Sequence, residues 1–332
     1  MKIFITGATG LLGTNTVKSA LAHGHEVIAL ARDPEKARRV LPQVPEVTFV
    51  SGDISDPEPW LTELNNADWV IHAAAYFREY FHPGDHSQTL KKLNVDFPLQ
   101  LIRACEKSGV NKILVVSSSG ALSPYPDGRP ADDQGHIASR IPGQLYFESK
   151  AEMEIAISSL NPKPALPVII ARPGWMFGPE DSGPTTAGEM VTQIFNTKKF
   201  QMIAGKPQHI ADARDVAEGL IRALETYEES TAINLVGKEI SVIEAIKEIA
   251  KNVPGAKVEE VPYPAAMFLS TILEPICKLQ GKSNPIPKAG LITLNSPHPI
   301  ESKKYKELGI SWRPFSETAR DTVAYFGAKN SM

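Results

Sequence analysis

Thr6-Gly7-Ala8-Thr9-Gly10-Leu11-Leu12-Gly13 follows the apolar run Ile3-Phe4-Ile5 without a break and opens a segment of helical period, Leu11 to His23. The order strand, glycine turn, helix carries more meaning than the glycines alone. In such a turn Gly7 permits the tight reversal, Gly10 lets the backbone approach a pyrophosphate, and Gly13 removes bulk where helix meets sheet. The helix start then offers unpaired N–H groups and the positive end of its dipole to phosphate. A following strand, Val27 to Leu30, completes a βαβ unit, so the stretch reads as a dinucleotide-binding opening. Thr6, Gly7, Thr9, Gly10, Leu11, Leu12 and Gly13 are its expected cofactor-binding residues.

The same rhythm continues outward. Apolar blocks recur at Val47 to Val50, Trp69 to Ile71, Ile113 to Val116 and Val168 to Ile170. Leu90 to Lys107 and Gln144 to Leu160 have the helical period between them. Continuously apolar strands alternating with helices predict a parallel sheet covered on both faces, an α/β fold of the doubly wound, Rossmann type. After Pro173 the pattern weakens into helix-like stretches at Glu189 to Asn196, Ala213 to Tyr227, Val242 to Asn252 and Pro264 to Leu279. Short strand candidates at Gln201 to Ile203, Ala232 to Leu235 and Val258 to Val261 are interleaved, and a terminal helix runs from Ser316 to Phe326. Residues 1–172 therefore read as the cofactor domain and 173–332 mainly as a smaller, mixed α/β substrate lobe, with some late segments free to return to the first sheet.

Composition sets the outer limits. With 332 residues, 42% hydrophobic and 22% charged, the chain can bury a large core. Its formal charge is -3, from 35 basic and 38 acidic side chains without long runs of one sign, which argues against a nucleic-acid partner. Two cysteines, Cys105 and Cys277, fall in helical stretches and read as packing residues, as in a reducing, cytoplasmic setting. The N-terminus runs directly into the first strand, so no removable leader is expected. No run approaches 18 uninterrupted apolar residues, so stable membrane insertion is not expected either. Ala265 to Leu279 reads as a cover for a pocket or core rather than a lipid-facing surface, because Glu274 and Pro275 interrupt it and its charge is slight.

The second strand ends Ala29-Leu30-Ala31-Arg32-Asp33. An adenosine ribose without a 2′-phosphate favours a carboxylate near Leu30 or Ala31, whereas Arg32 favours the phosphate. NADP(H) is thus the expected cofactor and NAD(H) the alternative, with Lys36 and Arg38 as weaker supporting charges. Asp53 and Ile54, after the third strand, suit contact with the adenine edge.

Tyr146 and Lys150 are four residues apart in a helical stretch and share a face. A tyrosine that delivers a proton near neutral pH needs its anion stabilised, and a neighbouring ammonium does this. Ser119, just beyond the strand ending at Val116, would approach the same carbonyl. At this point the chain resembles the extended short-chain dehydrogenase/reductase family (the NAD-dependent epimerase/dehydratase superfamily), in particular its dihydroflavonol-reductase-like and sugar-nucleotide-epimerase-like branch. The motifs are Thr6 to Gly13, Gly52-Asp53, His72-Ala73-Ala74-Ala75, Asn94-Val95, Ser117-Ser118-Ser119, Tyr146 with Lys150, and Arg172-Pro173 with Phe177-Gly178-Pro179. The resemblance implies hydride transfer with Tyr146 as acid or base and Lys150 lowering its pKa and binding the nicotinamide ribose. It further implies Ser119, with Ser118 as alternative, on the substrate oxygen, and Asn94 organising the site. Ala73, Ala74, Ala75 and Pro173 would pass close to the cofactor, and Asp215 would cap a helix.

Tyr76, Phe77, Trp175 and Met176, with Ser119 and Tyr146, are the expected substrate contacts; Tyr80 and Phe81 belong to the same aromatic group. Arg78, Arg140 and Arg172 are candidate anion contacts, although Arg172 suits a structural ion pair equally well. No metal site is expected, since His82 and His86 are four apart but Pro83 and Gly84 oppose a helix there. Three functions follow from these residues: an NADPH-dependent reductase of a carbonyl on a moderately apolar small molecule, an NAD-dependent sugar-nucleotide epimerase, or a non-catalytic cofactor sensor. A homodimer through Leu90 to Lys107 and Gln144 to Leu160 fits the family.

Overall fold

The six apolar runs form strands β1 (Lys2–Thr6), β2 (Glu26–Ala31), β3 (Val47–Ser51), β4 (Trp69–His72), β5 (Lys112–Val116) and β6 (Val168–Pro173). This computed structural model describes residues 1–77, 84–137, 144–280, 282 and 284–330. Later strands are β7 (Trp175–Phe177), β8 (Lys199–Ile203), β9 (Pro207–Asp212), β10 (Thr231–Leu235), β11 (Lys238–Ser241) and β12 (Lys257–Val261). The helices are α1 (Leu11–Ala22), α2 (Pro34–Val40), α3 (Ser87–Leu90), α4 (Phe97–Lys107), α5 (Leu145–Ser158), α6 (Thr186–Thr197) and α7 (Ala213–Thr226). They continue with α8 (Val242–Lys251), α9 (Tyr263–Leu279), α10 (Lys288–Asn295), α11 (Lys304–Glu307) and α12 (Phe315–Asn330).

Seven strands make one parallel sheet in the order β3-β2-β1-β4-β5-β6-β10. Alternation sends Ile3, Ile5, Ala29, Ile71, Leu114 and Ile169 to one face, against Val17 of α1 and Val216 and Leu220 of α7. Phe4, Ile28, Val70, Ile113 and Val115 go to the other, against Trp60, Leu101 of α4 and Met153 of α5. Both faces are dry, which is why the strands read as continuous apolar runs. Strand order reverses between β1 and β4, and the crevice at their carboxyl ends is where such sheets bind ligands. The expected Rossmann-type sheet with a smaller mixed lobe is what the chain forms.

Two late segments return to the first sheet. β10 pairs in parallel with β6, from Thr231 opposite Ile169 to Leu235 opposite Pro173, and α7 lies beside α1. The second lobe keeps β7, β9 and β11 in one small sheet and the parallel pair β8 and β12 in another. Its own core gathers Phe177, Val191, Ile194, Ile246, Ile249 and Phe326. Helix α8 opens with a reciprocal capping box between Ser241 and Glu244. The helix expected from Leu90 begins earlier, at Ser87, and carries a π-turn over Lys91–Asp96 before α4. The cap of α7 also differs from expectation. Asp212, not Asp215, caps it by accepting from the Arg214 N–H at 2.8 Å, while Asp215 pairs with Arg313 and accepts its backbone N–H at 2.7 Å.

Asp133 ties the middle of the chain to its late segments. Its Oδ1 accepts from the Asn234 N–H at 2.8 Å and from Ser302 Oγ at 2.9 Å, and its Oδ2 from the N–H groups of Lys303 and Lys304 at 2.8 and 3.2 Å. The neighbouring segment is held by Ala131, which donates to Pro299 and accepts from Glu301. No local pattern announces this carboxylate, because all its partners are a hundred or more residues away. Asp133→Ala leaves several buried donors unpaired and is expected to cost about 3 kcal/mol in urea unfolding, with faster proteolysis near Ser302. Asp127→Ala, on an exposed ion pair, is expected to leave the urea midpoint unchanged. Equal stability of the two variants would contradict this fastening.

Candidate active site

The glycine turn fits itself against the end of β4. Gly7 has φ 72°, and a Cβ there would lie 2.6 Å from the Ala74 nitrogen; at Gly13 it would meet the Gly7 oxygen at 2.1 Å. At Gly10 the nearest atom would be the Gly7 oxygen at 3.5 Å, so this glycine faces open cleft. Helix α1 has no side-chain cap and no acidic residue in its first turn. The N–H groups of Leu11, Leu12 and Gly13 have no acceptor among the described residues, so the helix start offers its donors and dipole to an anion in the cleft. A dinucleotide pyrophosphate fits this cradle. Thr6 serves the packing behind it, being fully buried, with Oγ1 2.7 Å from His72 Nδ1 and accepting from the Ala74 N–H.

At the adenosine end Arg32 is 72% exposed, with Nε 3.7 Å from Asp53 Oδ2, a loose surface pair that leaves the guanidinium open to a ligand anion. Asp33 is turned away, capping α2 through the Lys36 N–H at 3.0 Å. Asp53 spends Oδ1 on the Ser55 N–H at 2.7 Å, and Ile54 lines the cleft beside it.

Across the crevice, Lys150 is buried on α5 and donates from Nζ to the Val116 carbonyl at 2.8 Å, 6.0 Å from the centre of the Tyr146 ring. Phe77 packs edge-on to Tyr146 at 4.6 Å between ring centres, and Phe147 flanks it at 5.6 Å. Phe147 fills the space a side chain at Gly120 would need. Desolvation pushes the Tyr146 phenol above its ordinary value and Lys150 down to about 8, with Glu154 opposing the latter shift. The Lys150 ammonium is directed at the Val116 carbonyl. Burial, followed by the charge of Lys150, also holds His72 down to about 3, so that histidine is neutral.

The serines separate by their partners. Ser117 Oγ donates to Glu154. Ser118 Oγ accepts from the Gly120 N–H at 3.2 Å as the cap of a short helical turn, Ser119–Ala121. Ser119 Oγ has no hydrogen bond among the described residues and lines the cleft, so of the two expected serines it is the one free to meet a ligand. Arg172 proves structural, bonding both oxygens of buried Glu154, the closer at 2.7 Å, together with the Asp133 carbonyl. Asn94 lies behind the cleft wall on the π-turn. Its Oδ1 accepts from the Tyr76 N–H at 2.8 Å, and its Nδ2 donates to the Tyr76 carbonyl and to Ser149 Oγ on α5.

The glycine cradle, Arg32, Asp53, Ser117, Ser118, Ser119, Tyr146 and Lys150 open onto one cleft of about 2210 Å³, more than twice the upper end of an ordinary small-molecule site and roomy enough for a dinucleotide and a substrate together. Ala73, Ala74, Ala75, Pro173, Tyr76, Phe77, Trp175 and Met176 all line it. Arg78, Tyr80, Phe81, His82 and Arg140 lie outside the described residues. Three contributors have no sequence signal. His298 donates from Nε2 to the Ser119 carbonyl at 2.8 Å, Gln144 donates to the Ala289 carbonyl at 2.9 Å, and buried His209 lines the cleft.

The family model for the NAD dependent epimerase/dehydratase family matches residues 3–236. The chain belongs to that family, and it is an NAD(P)-dependent enzyme of the oxidoreductase and epimerase kind. It is 24% identical to a "Putative dihydroflavonol 4-reductase" of Synechocystis, over 97% of this chain and 94% of that one. Among solved structures it is similar to gox2253, at a TM-score of 0.78 and 26% identity, covering 99% of both chains. It is also similar to UDP-glucose 4-epimerase of Thermus thermophilus complexed with NAD, at 0.71 and 23%, covering 98% and 99% of the two chains.

The glycine geometry separates stability from binding. Gly13→Ala is expected to cost about 1–3 kcal/mol in thermal unfolding, because its Cβ collides with backbone. Gly10→Ala should keep the melting temperature and weaken nicotinamide dinucleotide binding about tenfold or more in calorimetry. A Gly10→Ala protein that binds as tightly as the unaltered chain would place the pyrophosphate elsewhere.

Proposed function

We propose that the chain reduces a carbonyl group on a moderately apolar small molecule, with NADPH as preferred cofactor and NADH as the alternative. The observation that carries this reading is the composition of the cleft wall beyond Tyr146. The second lobe supplies Trp175, Met176, Met190, Phe200, Met202 and Leu291 there, and Arg32 at the far adenosine end is the only arginine lining the cleft among the described residues. A sugar nucleotide brings a diphosphate that calls for paired cations, best supplied by arginine. Exposed Arg32, with Asp33 turned away, supports a 2′-phosphate. The name of the Synechocystis relative supports the dihydroflavonol-reductase-like branch.

Bound at the cradle, the nicotinamide cofactor supplies the hydride. Ser119 Oγ, unspent on other partners, hydrogen-bonds the carbonyl oxygen and fixes its orientation beside Tyr146. Tyr146 arrives protonated, since burial raises its phenol, and gives that proton to the oxygen as negative charge develops there. The phenolate left behind needs a cation, and Lys150 is the buried ammonium on its helix face. Phe77 and Phe147 pack against the Tyr146 ring and hold its orientation. Asn94 holds Tyr76 and α5 in register and acts through them as a positioning residue. A small-molecule substrate, a homodimer through the outer faces of α4 and α5, and a reducing cytoplasmic setting suited to the unpaired Cys105 and Cys277 complete the proposal.

The solved complex of the Thermus epimerase with NAD favours a second reading, epimerisation of a sugar nucleotide, which would use the same serine, tyrosine and lysine. Purified protein that retains NAD and consumes no NADPH with any carbonyl would decide for it.

Tyr146→Phe should lower carbonyl-dependent NADPH oxidation by about 10²–10⁴-fold while leaving NADPH affinity within twofold. Undiminished turnover would remove Tyr146 from the chemistry. The pH profile has a definite sign. Lys150, at about 8, is cationic below that pH and neutral above it, so turnover should hold through neutrality and fall as pH rises through about 8 and beyond. A rate that climbs over the same range would contradict a role for the ammonium.

A further inference from the structure

Among the described residues, most of the exposed large apolar side chains lie on two helices. Phe268, Leu269, Ile272, Ile276 and Leu279 on α9 and Ile292 on α10 are all between 44% and 89% exposed. At 100° per residue the five α9 positions, with Ala265, fall on one arc of roughly 100°, while Ala266 and Ser270 on another side are buried. The features that break the sequence pattern do not break this stripe. Pro275 is accommodated inside the helix, and Glu274 lies off the arc, paired with Lys288 at 2.9 Å. The stretch from Tyr263 to Asn295 carries three lysines, Lys278, Lys282 and Lys288, against the single carboxylate of Glu274. Leu269 and Ile292 also line the cleft, so its mouth opens through this apolar face.

We propose that the α9 and α10 face docks on an anionic lipid surface and that the cleft takes its apolar substrate from the bilayer there. An apolar stripe lying in the headgroup boundary with lysines beside it is the arrangement that holds a helix flat on a membrane without spanning it. Only part of this arc is cleft wall: Ala265 and Leu269 line the cleft, whereas Phe268, Ile272, Ile276 and Leu279 do not and lie exposed outside it. No helix among the described residues is long and apolar enough to cross a membrane. The identity of what enters rests on the carbonyl-reductase reading, whereas the docking does not.

The test is co-sedimentation of the full chain, without cofactor or substrate, with vesicles of phosphatidylcholine alone or mixed with phosphatidylglycerol, at low and high salt. Binding is expected to the mixed vesicles, weakened by salt, and reduced at least about tenfold in Phe268→Glu/Leu279→Glu, with melting temperature and NADPH affinity unchanged. Lys282→Glu should remove most of the preference for the anionic lipid. Leu145→Glu/Ile155→Glu, on the outside of α5, should bind like the unaltered chain. Absence of binding to any vesicle, or equal binding by the Phe268 and Leu279 variant, would overturn the proposal. So would a dimer in sedimentation equilibrium that this variant splits, which would assign the face to a second copy. Because no turnover is read, failed docking leaves the reductase reading standing, and a failed turnover assay leaves the docking standing.

Discussion

Everything in the active site depends on how closely the Gly7 turn approaches the end of β4. With no side chain at Gly7 or Gly13, the turn closes onto Ala74 and the first turn of α1, and Thr6 seals the contact by bonding His72 and Ala74. That packing aims the free N–H groups of Leu11, Leu12 and Gly13 at the crevice where strand order reverses. The anion site is thus a consequence of backbone proximity. The two halves of the cleft are placed by the same sheet, since β5, which delivers Ser119, pairs with β4.

A second line of dependence runs through buried charge. Lys150 sits one turn before Glu154, Glu154 holds Arg172 and Ser117, and Arg172 reaches the carbonyl of Asp133, which fastens the late segment at Ser302 to Lys304. Glu154 offsets part of the desolvation that lowers Lys150, so the lysine stays charged near neutrality instead of losing its proton outright. The late segment in turn reaches the reacting end of the cleft, where His298 bonds the Ser119 carbonyl. The last third of the chain therefore holds Ser119 as well as lining the cleft.

The parts of this arrangement legible in the sequence share one property: they are local. The strand-turn-helix at Thr6 to Gly13, the four-residue spacing of Tyr146 and Lys150, and the apolar strand blocks are each written within a dozen residues, and the structure forms them where expected. What the sequence does not mark is long-range. A return of late segments to the first sheet is left open there, but which segment returns, the Asp133 fastening and the His298 contact join residues far apart in the chain, and no period or motif marks them. Asp215 is the expected cap of α7, yet the helix starts at Ala213, where the sequence pattern places it, so the cap falls on Asp212, three residues earlier. The shared helix face of Tyr146 and Lys150 is likewise local, whereas the partner of the ammonium, the Val116 carbonyl, lies on another element and carries no mark in the sequence. The reading of Ala265 to Leu279 as a cleft cover is met at Ala265, Ala266, Leu269 and Cys277, which line the cleft; the helical wheel adds that Glu274 lies off the exposed apolar arc.

The cradle and the Ser119, Tyr146 and Lys150 cluster are proposed to form one site for hydride chemistry on a carbonyl. Mass spectrometry of the product from a panel of apolar aldehydes and ketones, reduced with NADPH deuterated at C4 of the nicotinamide, tests this most directly. One deuterium is expected on the former carbonyl carbon, delivered from a single face of the nicotinamide, with loss of the labelled product in Tyr146→Phe protein. Unlabelled product, or labelling that persists without the Tyr146 hydroxyl, would contradict it.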